Sequence, residues 1–122
     1  MTVTLKDNRN FQKAYKKGAY KAGRYIVIYA RRNGSGENRV GISVGKRFGN
    51  SVQRNRIKRL IRESFRAVSV FVKQGYDIVF MVRASKRDAP APNRKFRASY
   101  VPTFREVYGE TERLLKKLEL LS

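Results

Sequence analysis

Between residues 54 and 68 the chain carries an apolar stripe that only a helix makes continuous. At about 100° per residue, Ile57, Leu60, Ile61, Phe65 and Val68 fall on one side. Asn55, Arg59, Arg62 and Arg66 lie opposite, Lys58 and Arg56 flank them, and Arg54 sits near the edge of the apolar side. The stripe must be buried on a core. The opposite face cannot follow it, because the segment from Arg54 to Arg66 carries six cations against the single acid Glu63, and five of the six lie on or beside that face. Like charges three or four residues apart repel by a few tenths of a kcal/mol each, and Glu63 can relieve only Arg59 and Arg66. The fold must therefore supply a core on one side of this helix and leave the other side open. An acidic polymer is the partner that such a face suits.

The rest of the chain leans the same way. Twenty-nine Lys and Arg against nine Asp and Glu leave a charge of +20 on 122 residues. No fold needs that imbalance, and a polyanion rewards it. Nucleic acid is favoured over an anionic membrane surface. No apolar run of about 18 residues is present, and the first residues lack the apolar core of a signal peptide. The expectation is a single cytoplasmic domain, residues 1–122, with no membrane partner. The absence of Cys and His removes disulfides, zinc fingers, Cys nucleophiles and the His acid/base pair of many protein ribonucleases. The nine acids are scattered. Glu106, Glu110 and Glu112 come closest to a cluster, and on a helix they are expected to pair with Arg105, Arg113 and Lys116.

Periodicity supplies the remaining elements. Asp7 or Asn8 can cap a first helix on which Phe11 and Tyr15 share a face. Residues 24–32 alternate as a strand, with Tyr25, Val27 and Tyr29 on one side and Ile26, Ile28 and Ala30 on the other. Residues 33–38 read as a hairpin loop. The next strand, residues 39–45, sets Val40, Ile42 and Val44 against Gly41, Ser43 and Gly45, so one face is aliphatic and the other nearly bare. Residues 76–83 have the β-branched and large apolar composition of an interior strand. Residues 85–100 read as an exposed basic loop. Pro102 suits the first turn of a last helix whose stripe runs from Phe104 to Leu121.

Basic groups among aromatics are the sequence form of single-strand binding, in which cations neutralise phosphates and bases stack on rings. Phe11, Tyr15, Tyr25 and Tyr29 can supply such a platform if the first helix borders the bare sheet face. The basic helix offers guanidinium forks suited to structured RNA. The turn Lys46-Arg47-Phe48-Gly49-Asn50 lacks the glycine spacing of a nucleotide-binding loop and reads as a glycine turn with an Asn50 or Ser51 cap.

From Gly41-Ile42-Ser43-Val44-Gly45-Lys46 through Arg54-Asn55-Arg56-Ile57-Lys58-Arg59 to Glu63, the chain resembles the signature of the bacterial ribonuclease P protein subunit. Residues 5–18, with Phe11 and Tyr15 before a glycine, and Tyr76-Asp77-Ile78-Val79 match as well. The resemblance implies an α+β fold, a two-layer sandwich of order α-β-β-β-α-β-α whose first strand is short and near residues 19–22. It also implies a left-handed β-α-β crossover, against the usual right-handed expectation. The implied function is that of a protein partner to a catalytic RNA, promoting removal of the 5′ leader of precursor tRNA. No catalytic residue falls on the protein, and Mg²⁺ enters through the RNA subunit, with no cofactor held by the protein's side chains alone. Carried over by position, the leader site is Phe11, Tyr15, Tyr29, Lys46 and Arg54. The face toward the catalytic RNA is Arg47, Asn55, Arg56, Lys58, Arg59 and Arg62. Gly45, Arg47 and Phe48 depart from the family's usual hydroxyl, lysine and aliphatic residues, and residues 86–100 exceed its usual length. A ribosomal or other structural RNA-binding protein is the alternative. A helix-turn-helix DNA binder fits poorly, because strands flank the basic helix.

Overall fold

The computed structural model describes residues 2–83 and 101–122; the basic loop expected at residues 85–100 lies outside the described residues. Five strands and three α-helices follow one another as β1 Thr2–Thr4, α1 Asn8–Lys17, β2 Ala19–Ala22, β3 Ile26–Arg32, β4 Asn38–Ser43, α2 Ser51–Val68, β5 Tyr76–Val82 and α3 Phe104–Lys117. The strands form one mixed sheet in the order β1-β4-β5-β3-β2. The α+β class and the order from α1 onward are those expected from the sequence, with one strand added in front. Thr2–Thr4 is too short to show alternation, and it pairs in parallel with the start of β4, Thr4 opposite Val40.

Residues 33–38 do not close a hairpin. Strand β3 pairs antiparallel with β5, and β4 pairs with β5 in parallel, so β5 separates the two strands that the loop joins. The reason lies in composition: β5 is apolar on both faces, with Ile78, Val79 and Phe80 fully buried, and such a strand belongs at the centre of a sheet. Two polar ties hold it there. Asp77, buried completely, accepts from Arg39 Nε at 2.7 Å and Nη2 at 2.9 Å and from Asn33 Nδ2 at 3.1 Å. Asn38, also fully buried, donates to the Lys73 carbonyl at 3.0 Å and accepts from the Tyr76 amide at 2.9 Å.

Alternation along the strands splits the core in two. Ile26, Ile28 and Ala30 of β3 and Ile78, Phe80 and Val82 of β5 face Ile57, Ile61, Phe65 and Val68 of α2 and Val107, Leu114 and Leu115 of α3. This is the two-layer sandwich. The other sheet face carries a smaller cluster of Leu5, Ala14 and Val79, with Phe11, Tyr15 and Tyr29 packed against it. Helix α1 thus covers only part of that face.

The helix starts are specified locally. Asp7 caps α1 by accepting from the Arg9 amide at 2.9 Å, which holds its carboxyl below the usual carboxylate value. Asn50 caps α2 in a reciprocal box with Gln53, and Thr103 caps α3 in the same way with Glu106. Pro102 therefore precedes the last helix instead of occupying its first turn. The acids of α3 also differ from expectation. Glu106 closes the cap and accepts from the Tyr25 hydroxyl at 2.9 Å. Glu110, nearly fully buried, accepts from the amides of Arg24, Tyr25 and Ile26, each at 2.8 Å. Glu110 also keeps the expected contact with Arg113, at 3.5 Å, and Glu112 makes the expected surface pair with Lys116 at 3.8 Å.

Candidate functional site

Two glycines let α1 approach the sheet. A Cβ on Gly41 would stand 2.5 Å from the Phe11 ring, and one on Gly18 would stand 2.7 Å and 2.8 Å from the carbonyl oxygens of Ala14 and Ala30. The bare face expected of β4 is thus the bed for Phe11. Beside it the rings form a row. Phe11 and Tyr15 lie 6.5 Å apart between centroids, Tyr15 meets Tyr29 edge-on at 4.9 Å, and Tyr29 lies 5.4 Å from Tyr20.

Tyr20 is the member that the sequence reading missed. It is directly opposite Tyr29 across the β2–β3 pair, so the two share a face, and at 58% exposure it is the most open ring of the row. The signal was present in a tyrosine at the centre of a four-residue strand, but it required the register. Tyr25, counted among the candidate platform residues, is not part of the row. Its ring packs against the α2–α3 core and its hydroxyl donates to Glu106.

Burial raises the Tyr29 pKa above 10.0, and the neighbouring Tyr15 and Tyr20 add to the shift. Tyr29 therefore stays neutral well past physiological pH. Arg31 lies two residues beyond Tyr29 on the same sheet face, opposite Asp77 in the β3–β5 register. It brings a further cation to this face.

The remaining candidates sit at or beyond the start of α2. Lys46 and Arg47 are exposed in a 3-10 turn, Lys46–Phe48, whose Phe48 is buried in the core. Arg54 donates from Nη1 to the Gly49 carbonyl at 2.8 Å, bracing the turn that holds Lys46. Asn55, Arg56, Arg59 and Arg62 are exposed and Lys58 is half-buried. Lys58 and Arg62 line a cavity that Phe11 also lines, at the outer edge of β4. The structure thus brings Phe11, Tyr15 and Tyr29 into contact with one another. It ties Arg54 to Gly49 at the end of the turn that carries Lys46, and it places Lys58 and Arg62 nearer to Phe11 than a simple division into two surfaces implied.

Fold and site together define a small, strongly basic α+β protein with an open aromatic row on one sheet face and a cation-studded helix on the other. The family model described as Ribonuclease P matches residues 1–119, and the chain belongs to that family. It is 38% identical over 120 residues to the ribonuclease P protein component of Clostridioides difficile, covering 98% of this chain and 94% of that one. Among solved structures, the RNase P protein of Staphylococcus aureus matches with a TM-score of 0.78 at 32% identity, covering 98% of this chain and 97% of the other. The protein from Thermotoga maritima matches with a TM-score of 0.74 at 32% identity, covering 93% and 96%. Family membership makes this a protein component of a tRNA-processing ribonuclease, an RNA-binding part of a ribonucleoprotein.

Proposed function

We propose that this chain binds the ribonuclease P RNA and the 5′ leader of precursor tRNA, and that it thereby promotes removal of the leader. One observation carries the reading: in a member of this family, a row of four contacting rings opens on one sheet face while exposed cations of α2 point away from the core. An unpaired leader stacks on the rings, Tyr20 and Tyr29 foremost, with Lys46 and Arg54 near one end. The outer face of α2, with Arg47, Asn55, Arg56, Lys58, Arg59 and Arg62, lies against the backbone of the catalytic RNA. Cleavage takes place at metal ions held by that RNA, where water attacks the phosphodiester. The protein's part is to lower the electrostatic cost of assembling two polyanions and to hold the substrate's loose end. The chain's buried acids support this division. Asp77 is tied to Arg39, and Glu110 to three backbone amides.

The test is to mix the folded protein with a bacterial ribonuclease P RNA and precursor tRNA at low Mg²⁺. Stimulated cleavage at the mature 5′ end is expected. No stimulation would favour a structural RNA-binding role instead.

A further inference from the structure

Where β1 ends, the edge of β4 continues beside a cavity. Leu5 donates its amide to the Val40 carbonyl at 2.8 Å, and the chain then turns away toward Asp7 and helix α1. Ile42, two residues past Val40, directs its peptide N–H and C=O to the same side as Val40, and among the described residues no strand lies beside it there. A cavity of about 390 Å³ opens at this point, within the range of roughly 300–1,000 Å³ typical of small-ligand sites. Its apolar walls are Leu5 and Phe11 from one side of the sheet and Ile61 and Phe65 from the other. Lys58, Arg62 and Arg66, one helical turn apart along α2, stand at its polar side.

We infer that this cavity holds one unpaired RNA nucleotide, its base between Phe11 and Phe65 with an edge on the Ile42 peptide and its phosphate on Lys58, Arg62 and Arg66. The inference rests on the RNA-binding reading above and adds a site to it. Two features select a nucleotide over an extended acidic peptide. The free edge of β4 runs only from Gly41 to Ser43, too short to add a strand, yet one donor and one acceptor are what a base edge needs. The three cations follow one line beside an apolar slot, as a phosphate chain with an inserted base requires. Phe11 ends the aromatic row and also lines the cavity, so the nucleotide can come from the leader as well as from an unpaired position of the catalytic RNA.

The experiment uses the full chain and two cavity-filling substitutions that remove no cation, Ser69→Trp from the end of α2 and Thr4→Trp from the opposite wall. Both residues line the cavity. In amide NMR titrations with the four nucleoside 5′-monophosphates, the Ile42 amide is expected to shift and saturate with at least one of them. Whichever of the two variants keeps a wild-type melting curve should lose that shift. Equal shifts with inorganic phosphate, confined to Lys58, Arg62 and Arg66, would overturn the proposal in favour of a plain anion patch. An Ile42 shift with an acidic peptide and with no nucleotide would overturn it in favour of a protein site.

In the assembled system, a folded variant should weaken one affinity by about tenfold. Loss for precursor but not mature tRNA assigns the nucleotide to the leader, and loss of assembly with the catalytic RNA assigns it there. Unchanged affinities for both, in a sample whose wild type stimulates cleavage, would refute the site while leaving the broader function intact.

Discussion

The aromatic row and the basic face of α2 are both candidate RNA surfaces, but they are built on opposite principles. The row is part of the fold: Phe11 sits on Gly41, Tyr15 and Tyr29 touch each other, and all three are half-buried around Leu5, Ala14 and Val79. The face of α2 is added to the fold. Its stripe packs against the core, and Asn55, Arg56, Arg59 and Arg62 are exposed on the other side. A surface of contacting rings is pre-organised and tolerates little change. A surface of separate charges is adjustable, and its strength depends on salt. The two should therefore respond differently to mutation, one in stability and binding together, the other in binding alone.

The largest effect is expected from a residue that the fold buries. Glu110 anchors the β2–β3 turn through three amides, and that hairpin carries Tyr20 and Tyr29. Glu110→Ala leaves those donors without their charged acceptor, and urea unfolding should show a loss of about 3 kcal/mol. Glu110→Gln, which keeps one acceptor oxygen, should lose less. A loss under about 1 kcal/mol for the alanine variant would show that the hairpin holds itself, and the contrast between built-in and added surfaces would weaken.

Next comes the row itself. Phe11→Ala combined with Tyr15→Ala removes stacking worth roughly 1–3 kcal/mol per base, so affinity for precursor tRNA should fall by tens of fold while affinity for mature tRNA holds. Equal losses for both would remove the leader from this face. The double variant should also unfold more easily, since the Phe11 ring fills the space over Gly41.

For α2 the pattern should invert. Arg56→Ala with Arg59→Ala, both exposed, should leave the unfolding free energy within about 0.5 kcal/mol. Affinity for the catalytic RNA should drop by about tenfold. If each contacts one phosphate, the slope of log affinity against log salt should flatten by roughly 1.8 for helical RNA. An unchanged slope would mean that this face does not meet phosphate.

How far each surface could be read from sequence follows from the same contrast. The α2 face was legible because one helix determines both its stripe and its charges, and Ile57, Ile61, Phe65 and Val68 were placed by periodicity alone. Phe11 and Tyr15 were legible as an i,i+4 pair, and the glycine-lined face of β4 showed that something must lie over it. Tyr20 was not legible, because its place depends on pairing with Tyr29 across strands. The same limit concealed the position of β5 between β3 and β4: a six-residue loop between two strands reads as a hairpin until a third strand, apolar on both faces, claims the centre. Glu110 keeps the contact with Arg113 that helical spacing offers it, at 3.5 Å, but its larger role was not legible, because its three amide donors come from more than eighty residues away.

The smallest expected effect sharpens the comparison at a single hydroxyl. Tyr29 has its pKa raised above 10.0, chiefly by burial and then by Tyr15 and Tyr20. Between the unfolded value and the raised folded one, the native state holds a proton that the unfolded chain has released. Its contribution to stability is thus complete below about pH 10 and is lost as pH rises through the folded value. Spectrophotometric titration should show a tyrosine step displaced above the ordinary value, and Tyr29→Phe should abolish that step. Near neutral pH the same variant keeps the ring, so its discrimination between precursor and mature tRNA should match that of the parent. A marked loss there would mean that the hydroxyl itself contacts the leader, and the row would then read the strand by hydrogen bonding as well as by stacking.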